Sequence, residues 1–221
     1  MIYLIDLLDN SSLEKLNKIF DRTSSFSPAY MSKGEMKTDI KNTTEMDKSD
    51  PYYAESINIV KKCIEDSIEL QELTACKQYG SFLFSQYSEG MFYGNHVDYH
   101  TQSGVRTDYS CTVFLSDKNT YEGGELVINL GNTEQFFKLD AGQAIIYPTS
   151  FVHRVNEVKS GIRRACIFWV ESRINDSRVR EINSDLFQLI YKYEDEIRHL
   201  NRDLYNRLVS VKFNLFKHFC G

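Results

Sequence analysis

SFLFSQY (residues 81–87), MFYGNHV (91–97), YSCTVFL (109–115), ELVINL (125–130), QFFKL (135–139), AIIY (144–147), FVHRVNEV (151–158) and RACIFWV (164–170) decide the fold. Each stretch is short, rich in aromatic and β-branched residues, and bounded by Gly, Asn, Asp or Lys-Ser-Gly turn signals. Eight such strands in quick succession predict a two-sheet jelly roll or barrel, because a long open sheet would leave unpaired edges.

Outside this block the periodicity changes from two to nearly four. Ser11 to Arg22 predicts a helix, with Leu13, Leu16, Ile19 and Phe20 on one face and a Ser11/Glu14 capping box at its start. Residues 23 to 50, rich in Ser, Thr, Lys and Asp, read as loop or irregular strand. Pro51 opens a second helix running to about Leu73, with Ile57, Val60, Ile64 and Ile68 aligned. After Trp169, apolar residues from Ile182 to Leu215 recur at three- and four-residue steps with no interrupting Gly or Pro. They predict an amphipathic helix, or two with a break near Leu200 to Asp203. Packing on the barrel is the default role of that face; a homodimer seam is the alternative. The chain is therefore α+β, with supporting N-terminal helices. Residues 1–175 form one domain, its jelly-roll core at about 79–172, and 176–221 form a C-terminal helical extension.

Composition narrows the classes. A chain of 221 residues with 42% hydrophobic and 26% charged content is sized for one good core. The net charge of −5 argues against nucleic acid as a partner, since a binding groove needs a basic excess. No apolar run reaches the length of a membrane span, and MIYLIDLLDNSS lacks a basic lead and a small-residue cleavage site. The expected location is cytoplasmic. The five cysteines are scattered and never form a C-x-x-C pair, as expected of reduced, mostly buried thiols.

Chemistry concentrates at His96-Val97-Asp98. On a strand, residues two apart share a face, so the imidazole and the carboxylate can reach one ion while Val97 turns away. His100 continues the alternation, but at ~3.4 Å per residue it starts roughly 13–14 Å from His96, too far to share an ion without a sharp bend. His199 and His218 lie in the helical tail, which leaves His153 in FVHRV as the third ligand, brought in from another strand. Two histidines and one carboxylate suit ferrous iron and leave positions open for other ligands; a structural zinc site would more usually have four protein ligands.

Ten residues beyond His153 stands Arg163. Lys159-Ser160-Gly161 reads as a hairpin turn, which would return the next strand alongside the His153 strand and put Arg163 on the order of 7–10 Å from the metal. A dicarboxylate could bridge that gap, with its keto-acid end at the iron and its far carboxylate on the guanidinium. Arg164 points to the opposite face, and the turn register decides which of the two arginines faces inward. Arg106 and Asp108 are either substrate contacts or a loop ion pair, the ion pair being favoured. Gly123-Gly124 reads as a turn requirement.

YSEGMFYGNHVD, VRTDYSCTVFLSD, YEGGELVI, IIYPTSFVHRV and GIRRACIFWVES together resemble the PKHD-type hydroxylases, relatives of the prolyl and lysyl hydroxylases. The likeness runs in order from about Tyr79 to Asp176. It implies a double-stranded β-helix, Fe(II) held by His96, Asp98 and His153, and 2-oxoglutarate anchored by Arg163. Tyr87 aligns with a tyrosine near the cosubstrate in related enzymes. Phe114 stands where some relatives carry a hydroxyl-bearing tyrosine, and Thr112 on the same strand face is the candidate substitute. The implied reaction consumes O2, with L-ascorbate as a candidate reductant, converts 2-oxoglutarate to succinate and CO2, and hydroxylates a substrate. Retention of Asp98 favours hydroxylation over halogenation. The implied substrate is a prolyl or lysyl residue in a peptide or protein. A small metabolite or free amino acid is the alternative within the enzyme class, and a non-catalytic sensor module the alternative outside it.

Overall fold

The predicted strands pair into two facing antiparallel sheets in a computed structural model that describes residues 1–29 and 39–220. In chain order the first elements are β1 (Tyr3–Asp6), α1 (Asn10–Arg22), β2 (Phe26–Pro28), β3 (Lys41–Asn42), β4 (Thr44–Met46), α2 (Pro51–Asp66) and α3 (Ile68–Thr74). The barrel continues with β5 (Cys76–Tyr87), β6 (Phe92–His96), β7 (Thr101–Gln102), β8 (Val105–Arg106), β9 (Tyr109–Phe114) and β10 (Tyr121–Gly123). It closes with β11 (Leu126–Asn129), β12 (Glu134–Phe137), β13 (Gln143–Pro148), β14 (His153–Val155), β15 (Val158–Gly161) and β16 (Arg163–Ser172). Three helices follow: α4 (Ser177–Lys192), α5 (Glu194–Leu200) and α6 (Arg202–Phe219).

The larger sheet has the order β1-β13-β9-β16-β5-β4-β2 and the smaller β12-β11-β14-β6-β3. Period-two alternation gives the larger sheet two different faces. Phe82, Phe84, Cys111, Val113, Ile146, Cys166 and Phe168 point outward and pack with Leu16, Phe20, Val60, Ile64 and Leu70 of α1–α3. Tyr87, Phe114, Ile145 and Tyr147 point inward and meet Leu126, Ile128 and Val155 of the smaller sheet. Each fully buried Leu, Ile or Phe here contributes about 1.5–3 kcal/mol. The helices thus brace one sheet from behind and leave the space between the sheets for the site. No helix among the described residues is long and apolar enough to cross a membrane, and all five cysteines are free.

Several local expectations are corrected. The start of α1 is capped by Asp9, whose carboxylate accepts from Ser12 N at 2.6 Å, rather than by a Ser11/Glu14 box. The second helix is two helices. Ser67 breaks it by capping α3 through Leu70 N, and Ile68, expected on the apolar face, is exposed. The 23–50 segment, by contrast, is as expected of loop or irregular strand: part of it forms the short strands β2, β3 and β4, and residues 30–38 lie outside the described residues. The helical tail breaks at Asn201, within the expected window, and also at Tyr193, which no Gly or Pro announces. Glu194, Asp195 and Glu196 occupy the first turn of α5, where their charge favours a helix start.

The largest correction concerns the chain after His153. β14 lies in the smaller sheet between β11 and β6, whereas β16 lies in the larger one between β9 and β5. Lys159-Ser160-Gly161 is not a hairpin turn between them but the body of β15, paired with β10. Gly161, at φ +77°, then carries the chain across to the other sheet. Arg163 therefore approaches the metal ligands across the sandwich, not along a neighbouring strand.

Candidate active site

His153 and His96 are direct register partners in the β14–β6 pair. Asp98 lies just beyond the end of β6, its carboxylate turned inward while Val97 is exposed. His96 Nε2 stands 3.9 Å from Asp98 Oδ1, and His153 Nε2 stands 3.7 Å from Asp98 Oδ2. One ligand atom from each of the three residues falls within 4.8 Å of the others, close enough to share one ion. The other ring nitrogens are already engaged: Nδ1 of His96 is 2.8 Å from the Gly94 carbonyl, and Nδ1 of His153 is 3.0 Å from the Phe151 carbonyl. A carbonyl only accepts, so each Nδ1 carries the proton and each Nε2 turns a lone pair inward. Burial, then the neighbouring His153, pulls His96 down to about 4, which keeps the ring in its ligating neutral form.

Other side chains hold the three in place. Ser110 on β9 donates its hydroxyl proton to Asp98 Oδ2. Tyr93 stacks on His96 with centroids 3.6 Å apart, and Tyr147 meets His153 edge-on at 5.1 Å. His100 is exposed and lines an outer recess, apart from the ligand cluster.

At the other end of the same cavity lies Arg163, 1% exposed and the direct cross-strand partner of Tyr87. Its guanidinium carbon sits 5.0 Å from the Tyr87 ring centroid and 5.5 Å from that of Phe114. Among the described residues it forms no ion pair, and its Nε has no hydrogen-bond partner. An uncompensated buried charge costs several kcal/mol, so this position fits a ligand that brings a carboxylate to it. Arg164 faces the other way, 2.8 Å from Asp21 of α1 and over the ring of Phe20. The register question left open by sequence is thereby answered in favour of Arg163. Thr112 also lines the cavity, on the face it shares with Phe114 and in register with Ile145 of β13.

A family model for the 2OG-Fe(II) oxygenase superfamily matches residues 82–171. A PKHD-type hydroxylase of Rippkaea orientalis is 38% identical over 191 residues, covering 84% of this chain and 85% of the relative. The chain belongs to the PKHD-type hydroxylases. It is accordingly a dioxygenase of a family whose chemistry uses Fe(II), 2-oxoglutarate and O2. The hydroxylase also shares its fold with solved enzymes. A prolyl hydroxylase from Trichoplax adhaerens superposes with TM-score 0.62 at 15% identity, covering 84% of this chain and 86% of that one. A Pseudomonas putida prolyl-4-hydroxylase gives 0.54 at 16% identity, over 77% and 92% respectively.

In this PKHD-type hydroxylase, cavity residues not singled out from sequence include Tyr93, Tyr147, Trp169 and the Lys41–Glu45 pair, joined at 2.8 Å, and Ser110 supports Asp98 without lining the cavity. Ser110 was accessible in principle, since it shares the inward parity of Thr112 on β9. Arg106 and Asp108 form the expected ion pair, in a network with Arg180 and Glu171 that ties α4 to the barrel. Gly123 and Gly124 have φ of +72° and +66°, and a Cβ on Gly123 would lie 2.1 Å from the Glu157 carbonyl oxygen.

Proposed function

We propose that His96, Asp98 and His153 hold Fe(II), that Arg163 receives the distal carboxylate of 2-oxoglutarate, and that a prolyl or lysyl residue of a peptide or protein is hydroxylated as the cosubstrate is converted to succinate and CO2. The observation that carries this reading is the buried guanidinium of Arg163, without a carboxylate partner among the described residues, in the same cavity as the three converging ligands.

When bound, iron and cosubstrate would together activate O2, one oxygen atom of which enters succinate while the other becomes the hydroxyl of the substrate. The chain's own residues do the rest. His96 and His153 hold Nδ1 on backbone carbonyls and turn Nε2 toward the ligand cluster, and Ser110 fixes the Asp98 carboxylate. Leu126, Val155 and Ile167 give the cavity apolar walls, which strengthens the Arg163–carboxylate attraction. Tyr87 packs against the guanidinium and limits its swing, and Thr112 contributes a hydroxyl to the same cavity. L-Ascorbate is assigned as the reductant that keeps the iron ferrous.

For the substrate, support comes from the outer recess beside the ligands, lined by Lys41, Glu45, Tyr99, Gln102, Ser103 and Trp169. Its mixed polar and aromatic wall suits an extended peptide. The Trichoplax prolyl hydroxylase was solved with a hypoxia inducible factor oxygen degradation domain peptide fragment. We further assign residues 1–175 to the catalytic domain and 176–221 to a helical extension, in a cytoplasmic protein. A second copy is the proposed cover for the exposed Leu200, Val211 and Phe213 of that extension.

The deciding experiment follows succinate formation with Fe(II), 2-oxoglutarate and O2. Turnover accelerated by proline- or lysine-containing peptides, with one oxygen atom added to the peptide, is expected. Acceleration by free amino acids alone would transfer the assignment to a small-molecule hydroxylase. Absence of any succinate, with iron and cosubstrate bound, would favour a sensor module.

A further inference from the structure

Asp98 stands where the backbone ladder no longer holds the chain. β6 ends at His96, its last register partner with β14, and residues 97–100 follow as irregular chain. His153 opens β14 and is reached through irregular chain at residues 149–152. Two of the three metal ligands therefore depend on what fixes a loop, since irregular backbone must find its hydrogen-bond partners outside a ladder. One short segment, Arg106-Thr107-Asp108, leading from β8 into β9, touches both loops.

Thr107 is 5% exposed and gives both of its donors to the Asp98 loop. Its amide donates to the His100 carbonyl at 3.1 Å, and its hydroxyl donates to the Tyr99 carbonyl. The acceptors of the segment go to the other loop. The Thr107 carbonyl accepts from the Thr149 hydroxyl at 2.7 Å, and the Asp108 carbonyl from the Thr149 amide at 3.3 Å. Thr149 is also buried, and two residues further on the Phe151 carbonyl holds Nδ1 of His153. The segment has its own base. The Asp108 amide donates to the Val170 carbonyl at 2.9 Å, and its carboxylate accepts from Ser172 N at 2.8 Å and meets Arg180 of α4 at 3.0 Å. Clamped in this way to β16, it fixes the loops it touches instead of drifting with them.

We propose that Thr107 is a positioning residue of the metal site. Through the Tyr99 carbonyl it sets the backbone that carries Asp98, and through Thr149 it keeps that backbone in place relative to the approach to His153. Its role rests on the ligand set proposed above, and it touches neither metal nor cosubstrate. Ser110 orients the Asp98 carboxylate itself, whereas Thr107 fixes the backbone from which that side chain starts.

The test uses the full chain, titrated calorimetrically with Mn(II), with the visible spectrum of the Co(II)-loaded protein measured beside it. Thr107→Val keeps the branched shape and removes the hydroxyl. It is expected to weaken Mn(II) about tenfold, the low end for losing an outer partner of a metal site, and to shift the Co(II) bands. Thr107→Ser, which keeps the hydroxyl and loses the methyl group, should bind Mn(II) like wild type. Thr149→Val should weaken Mn(II) by a similar factor, and it carries the test if Thr107→Val does not fold. Wild-type affinity with an unshifted spectrum in the valine variant overturns the proposal, even where the melting temperature falls. A loss as large in Thr107→Ser as in Thr107→Val also overturns it, because packing and not the hydroxyl would then be responsible. Either result leaves the ligand set standing, provided His153→Ala loses Mn(II) in parallel. Wild-type Mn(II) affinity in His153→Ala removes the ligand set itself, and this inference with it.

Discussion

His96 and His153 face each other as register partners across the β6–β14 pair, their ring centroids 4.1 Å apart. Each ring is fixed by the backbone carbonyl two residues before it, Gly94 for His96 and Phe151 for His153. His153→Ala is expected to reduce Mn(II) or Fe(II) affinity by more than the roughly 10–100-fold typical of losing an outer-shell partner. His100→Ala, altering an exposed ring in the outer recess, should bind metal like wild type. Calorimetry or Mn(II) electron paramagnetic resonance measures both. Parity between the two variants would remove His153 from the ligand set.

Ser110 is fully buried, and its hydroxyl bonds to Asp98 Oδ2. Ser110→Ala leaves that oxygen without its donor and frees the carboxylate to rotate. Metal affinity should fall about 10–100-fold, with a changed spectrum for the Co(II)-substituted site. An unchanged spectrum together with full affinity would show that the hydroxyl does not position Asp98.

Arg163 and Arg164 offer a paired comparison on one strand. Arg163→Ala should weaken 2-oxoglutarate much more than metal. Arg164→Ala should leave both untouched and cost at most about 1 kcal/mol of stability, because its partner Asp21 is largely exposed. Titration of each variant with the cosubstrate, beside a thermal melt, separates the two. Comparable cosubstrate loss in both would contradict the observed parity.

Acid should weaken the metal-free protein through His96. Burial, then His153, holds that imidazole at about 4, whereas an ordinary one titrates near 6.5. Between those values the unfolded chain binds a proton that the folded one refuses. Stability is therefore full above the window and declines as pH falls through it. His96→Asn lacks this titration. The melting temperature of wild type relative to the variant should drop between about pH 7 and pH 4; a constant difference would refute the assignment.

Local features of this hydroxylase were legible in the chain. Alternation along Ser81–Tyr87 and Tyr109–Leu115 announces strands because a strand's period depends only on its own backbone. His96 and Asp98 are two residues apart, so their common orientation needs no knowledge of the fold. His153 follows by elimination among five histidines. The choice between Arg163 and Arg164 was not legible, because a one-residue slip exchanges their faces. Gly161 and the crossing from β15 to β16 decide it, and sequence suggested a simple hairpin there. Ser110 shows the same limit. A serine on a strand looks ordinary until the pairing of distant strands sets Asp98 beside it. That pairing is set by hydrogen bonds and packing between segments far apart in the chain, so tertiary structure alone brings the two together.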